Sequence, residues 1–111
     1  MSDCLFCKIA AGEIPCNKVY EDEDFLAFPD INPKAPVHVL VIPKHHLPSL
    51  NDADDQDIGL LGLLMDATRK IAKELGVDDP GYRVILNVGK GGGQEVFHIH
   101  VHILGGKVLP F

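Results

Sequence analysis

Apolar positions along this chain recur at two spacings, and the change from one to the other marks out its elements. NKVYEDEDFLAFPD reads as a strand, a tight turn across Glu21 to Asp24, and a second strand carrying Phe25, Ala27 and Phe28. The acidic run is the solvated turn of that hairpin. In INPKAP, Pro33 and Pro36 break periodic structure and predict a loop. VHVLVIP follows as an apolar, β-branched strand ending at Pro43. Then the period lengthens. Leu60, Leu61, Leu64, Met65, Thr68, Ile71, Ala72 and Leu75 recur at helical spacing, an apolar stripe that would pack on a sheet. The helix is expected to start at an Asn51 or Asp52 cap, with Asp52, Asp54, Asp55 and Asp57 at the positive end of its dipole. Lys70 and Lys73 stand in its last turns and Gly76 closes it. YRVILNV and VFHIHVHIL return to strand spacing on either side of the glycine-rich GKGGGQE. A short helix is expected near Phe6 to Ala11. Five strands joined mostly by short turns, with one long helix, predict an α+β fold on an antiparallel sheet.

Composition narrows the function. The 111 residues suffice for one domain, residues 1–111, and no repeat or linker divides them. Ten Lys+Arg against sixteen Asp+Glu leave a formal net charge of -6, which argues against nucleic acid or an anionic membrane as the main partner. No apolar run approaches a membrane span. The opening MSDCLFCKIA lacks the pattern of a secretory signal, and three cysteines make no disulfide framework, so a cytoplasmic protein is expected.

The candidate chemistry lies in FHIHVHIL. In a strand, Phe97, Ile99, Val101 and Ile103 would face the helix, and His98, His100 and His102 the other side at about 7 Å spacing. Three readings stand: an amphipathic strand whose polar face happens to be histidine, a metal site, or nucleophilic and acid–base chemistry at neutral pH. Just upstream, Gly89, Gly91, Gly92 and Gly93 leave backbone amides open to an anion. No GK[ST] follows and a strand comes next, so this is no P-loop. An anion held by amides within reach of imidazoles suits metal-free phosphoryl or nucleotidyl transfer.

HIHVHIL, together with FCKIAAGEIP, FLAFPDINPKAPVHVLVIPKHH, GYRVILN and GGQEVFHIHVHILGG, resembles the histidine triad (HIT) superfamily, and within it the Hint branch of nucleoside phosphoramidases, in its bacterial form. The likeness runs from about Cys4 to Lys107. It implies an α+β sandwich that dimerises by joining two five-stranded sheets into a ten-stranded one. It also implies cleavage of the P–N bond of purine nucleoside phosphoramidates, AMP- or GMP-linked amines, with no cofactor needed for the reaction. His100 would be the nucleophile, with its second nitrogen engaged by the carbonyl of His98. His102 would hydrogen-bond the phosphoryl oxygens or assist the leaving group, and His38 would have a supporting or structural role. Leu5, Phe6, Ile9, Phe28 and Ile31 match the base pocket, Asp30 the ribose carboxylate, and Asn87, Gly93, Gln94, Glu95 and Val96 the phosphate loop. By pattern alone the five apolar positions read as core. Glu95 departs from the Ser of many animal members, and a carboxylate there repels phosphate unless it is turned away or protonated. The tail GGKVLPF is shorter than the animal one, so the leaving-amine preference does not carry over.

Cys4 and Cys7 form a C-x-x-C pair that reads equally as two small buried hydrophobes. Some relatives bind zinc through such a pair, the histidine after the IPK strand and the first triad histidine. Here that set is Cys4, Cys7, His46 and His98, with His45 competing for the third place, and its role would be structural. Cys16 has no counterpart in the set. Two other functions remain open: dinucleotide polyphosphate hydrolysis, as in the Fhit-like branch, and purine-nucleotide binding without turnover.

Overall fold

A computed structural model describes residues 3–111. Its antiparallel sheet has the order β1-β2-β3-β5-β4, from β1 (Tyr20–Glu21), β2 (Phe25–Pro29), β3 (Val37–Pro43), β4 (Arg83–Ile85) and β5 (Val101–Gly105). A short helix, α1 (Leu5–Ala10), and a long one, α2 (Ile58–Glu74), complete it.

Strand alternation assigns the two faces. Phe25 and Ala27 of β2, Val39 and Val41 of β3, and Val101 and Ile103 of β5 pack with Leu64, Ala67, Ile71 and Ala72 of α2. The intervening residues Leu26, Phe28, Leu40 and Ile42 pack instead with Phe6 and Ile9 of α1. On β5 the same alternation turns His102 away from α2, opposite Leu40 in the register. The histidines therefore belong to the α1 side.

Asp22 organises the β1–β2 turn, its Oδ1 accepting the N–H groups of Asp24 and Phe25 at 2.7 Å each. The acidic stretch before α2 forms no helix cap at Asn51 or Asp52. Ser49 caps a 3₁₀ turn at Leu50–Asp52, Ala53 is extended, and Asp54 and Asp57 close a capping box around a second turn at Asp55–Asp57. Serine and aspartate side chains compete there for backbone N–H groups, so α2 starts only at Ile58. Its end follows the expectation. Gly76, at φ +76°, donates to Lys73 O, and Val77 to Ala72 O, closing the last turn. Met65 does not join the core: it is 50% exposed, and Ala67 takes a buried place on the stripe.

VFHIHVHIL is a strand only from Val101. The β3 ladder ends because Pro43 has no N–H, and the Pro43 carbonyl accepts the His98 imidazole. Ile99 N–H donates to Leu47 O instead, and Phe97 is 48% exposed rather than packed on the helix. YRVILNV likewise pairs only over Arg83–Ile85. At the end of β5, Gly105 lies against Val77 and Tyr82, and a Cβ on Gly106 (φ +90°) would meet Pro36 at 2.9 Å. Gly106 lets the chain turn against the loop that bears Asp30.

Candidate active site

A cavity of about 500 Å³ opens between α1, the loop after β2, and the histidine segment. Leu5, Phe6, Ile9, Phe28 and Ile31 form its apolar wall, with Asp30 beside them. His38, His100 and His102 stand with Asn87, Gly93, Glu95 and Val96 at its polar part. The core reading holds for Phe6, Ile9 and Phe28, which are buried, but not for Leu5 or for Ile31, which is 92% exposed. An apolar side chain left open beside a carboxylate and imidazoles suits an amphipathic ligand.

The tautomers follow from the partners. His100 Nδ1 lies 2.8 Å from the His98 carbonyl, which can only accept, so Nδ1 carries the proton and Nε2 is left with its lone pair. Lys34 N–H donates to His38 Nδ1 at 3.1 Å, which places the His38 proton on Nε2. That Nε2–H faces His102 Nδ1 at 2.9 Å and Asp30 Oδ2 at 3.4 Å. His102 Nδ1 is thus an acceptor, and its own proton sits on Nε2. Asp30 is held in turn by Asn32 N–H on its Oδ1 at 2.8 Å. One backbone amide thereby sets the protonation of two imidazoles in series.

Burial keeps these rings neutral. Desolvation lowers the His38 and His100 pKa values, opposed at both by the Asp30 carboxylate and at His100 also by the His98 carbonyl bond. Desolvation, with the neighbouring His100 and His38, pushes His102 down to about 4. The ring centroids of His100 and His102 are 5.1 Å apart, closer than the expected strand spacing. An unprotonated Nε2 beside an Nε2–H donor is suited to attack on phosphorus with hydrogen bonding to its oxygens.

Gln94 alone of the expected nucleotide set does not line this cavity. It is buried, its Oε1 accepting Gly89 N–H and its Nε2 donating to the carbonyls of Pro48 and Val96. It braces the glycine loop, in which Gly89 and Gly93 take positive φ and Gly92 O accepts the Asn87 amide. Sequence reading missed Lys34, which lines the cavity and supplies the amide to His38; one cation in an exposed loop gave no signal for it.

His98 does not reach the cavity. Fully buried, it donates from Nε2 to Pro43 O at 2.7 Å, and burial pushes its pKa down to about 4. Its Nδ1 meets Cys4 Sγ at 3.3 Å, Cys7 Sγ at 3.5 Å and His46 Nδ1 at 3.1 Å, and His46 Nδ1 also meets Cys7 Sγ at 3.3 Å. Those four donor atoms lie within 4.8 Å of one another. Tetrahedral zinc, with bonds of about 2.0–2.3 Å, sets its ligands about 3.3–3.8 Å apart, and the set fits. The Pro43 carbonyl fixes the tautomer a ligating His98 needs. His46, rather than His45, completes the group.

The HIT domain family matches the chain over residues 11–109. Protein HitA of Neisseria gonorrhoeae is 53% identical over 108 residues, 97% of this chain and 100% of the relative. A purine nucleoside phosphoramidase of Escherichia coli is 44% identical over 107 residues, 96% of this chain and 90% of the relative. Among solved structures, a HIT family hydrolase from Legionella pneumophila superposes with a TM-score of 0.95 at 50% identity, covering 98% of this chain and 97% of its own.

Proposed function

The chain belongs to the HIT domain family and is an enzyme of that superfamily, and from there we propose that it hydrolyses purine nucleoside phosphoramidates through a nucleotidyl-His100 intermediate. The observation that carries this is the His100 Nδ1–H bond to the His98 carbonyl, which leaves an unprotonated Nε2 in the cavity. In the first step Nε2 bonds to the α-phosphorus and the P–N bond breaks as the amine takes up a proton from solvent water, His100 keeping its Nδ1–H. In the second, water attacks that phosphorus, the P–Nε2 bond breaks, and a proton is released with the nucleoside monophosphate. His102 Nε2–H is the donor for the phosphoryl oxygens or the departing amine. The apolar wall would hold the base and Asp30 the ribose hydroxyls. Glu95, exposed at the rim, would contribute its backbone N–H rather than its carboxylate.

The reading extends to a single HIT domain acting as a cytoplasmic homodimer, with structural zinc on Cys4, Cys7, His46 and His98. Bound there, zinc would act as a clasp and supply no chemistry to the reaction, since four protein ligands close its coordination. Thiolate ligands suit a reducing compartment.

Purified protein should hydrolyse a fluorogenic adenosine phosphoramidate, with His100→Ala slower by about 10³-fold or more. Preference for diadenosine polyphosphate would replace the substrate assignment. Tight AMP binding without turnover of either would overturn the reaction. Metal analysis should find one zinc per chain, absent from Cys7→Ser.

A further inference from the structure

The thiol–imidazole set and the cavity are built on the same two pieces of chain. Helix α1 carries Cys7 toward His46 and His98, while its Leu5, Phe6 and Ile9 form the cavity wall. Cys4, which caps α1 by accepting Cys7 N–H, also meets His98. The second shared piece is His98 itself. Its ring belongs to the set and its carbonyl holds His100 Nδ1–H. The Phe6 ring lies edge-on to both imidazoles, with centroids 5.9 Å from His98 and 5.1 Å from His100.

A six-residue helix is too short to hold its shape in water by itself, so α1 takes its position from what it touches. On its inner side only Phe6 and Ile9 are buried. The set is a further anchor, at Cys4 and Cys7. There, His98 Nδ1 is already a lone-pair atom because Nε2–H is given to Pro43 O, and it faces a second imidazole nitrogen at 3.1 Å. One ion bound there would engage all four donor atoms at once.

We propose that zinc binding at Cys4, Cys7, His46 and His98 and nucleotide binding in the cavity are positively coupled through α1 and the His98 carbonyl. This rests on the reading of the cavity as a nucleotide site. Whichever ligand binds first orders α1, so the second binds to a wall already in place. The coupling must then be reciprocal: the factor by which zinc tightens nucleotide is the factor by which nucleotide tightens zinc. Cys4, Cys7 and His46 are positioning residues for nucleotide binding, although none of them lines the cavity.

The test uses the full chain loaded with one equivalent of zinc, with AMP as probe. The zinc dissociation constant, measured by competition with a chromophoric chelator and corrected for zinc bound by free AMP, should fall about fivefold or more at saturating AMP. The AMP dissociation constant should rise by the same factor when zinc is stripped. Unchanged or weaker zinc binding in protein that demonstrably binds AMP overturns the coupling and leaves the nucleotide reading intact. Failure of the loaded protein to bind AMP overturns both. The zinc measurement is made on folded, loaded protein, so it stands even where stripping unfolds the chain.

Discussion

His38 faces both His102 and Asp30, and toward His102 its effect is one of proton placement. With its Nδ1 taken by the Lys34 amide, it presents an N–H that makes His102 Nδ1 an acceptor and keeps the His102 proton on the cavity side. His38→Ala should therefore lower kcat/KM about tenfold to a hundredfold, more than it weakens AMP binding, in steady-state kinetics beside a binding isotherm. The same chain requires His102 to be neutral. Its ring resonances should stay fixed in NMR spectra from pH 8 to 5 and titrate near 4, since burial and the adjacent His100 and His38 lower its pKa while Asp30 partly opposes them. The sign for stability follows. An unfolded histidine takes its proton near pH 6.5, so His102 withdraws stability as pH falls from about 6.5 to 4 and withdraws none above that window.

Elements here are placed by which face they bury. Leu64, nearly inaccessible on the α2 stripe, packs against the β2, β3 and β5 residues of the same core. Leu64→Ala should cost about 2–5 kcal/mol in urea unfolding, the range for a cavity in a well-packed core. The β5 exit depends on backbone instead. Gly106, with φ +90° and Pro36 where a Cβ would stand, should lose about 1–3 kcal/mol as Gly106→Ala in the same assay. Part of that loss should appear as weaker AMP binding, because Pro36 ends the loop that carries Asp30 and Lys34.

At the scale of the whole molecule, the proposed second copy would meet faces that one chain leaves uncovered. β4 is a three-residue edge strand with Val84 partly exposed, and Ile58, Leu63 and Met65 of α2 are at least half exposed. Unpaired strand edges and exposed large apolar side chains are costly in water. Pairing along β4 would extend the sheet to ten strands. Sedimentation equilibrium at micromolar concentration should accordingly give twice the chain mass, and a monomer throughout would remove the dimer from the proposal.

Much of this was legible along the chain because the relevant periods are local. Strand alternation separates the α2-facing residues of β2 and β3 from the α1-facing ones, and the 3.6-residue stripe with its closing glycine marks α2. The cavity residues Leu5, Phe6, Ile9, Phe28, Asp30 and Ile31 and the Cys4, Cys7, His46, His98 set follow from the family resemblance rather than from local periodicity. Other features were not written locally. The late start of α2 depends on competition among Ser49, Asp54 and Asp57 for amides. The early end of the β5 ladder depends on Pro43, far away in sequence. Gln94 and His98 have the polarity of site residues, yet the Gln94 amide is taken by the glycine loop and by carbonyls, and His98 turns into the thiol–imidazole set, through partners that only the folded chain brings near. The sequence by itself determined the alternating faces of β2 and β3, the presence and order of the main elements, and the chemical groups. Tertiary structure decided which nitrogen holds the proton on His98 and His102, because that depends on single contacts made across 55 and 64 residues of chain, to Pro43 and His38.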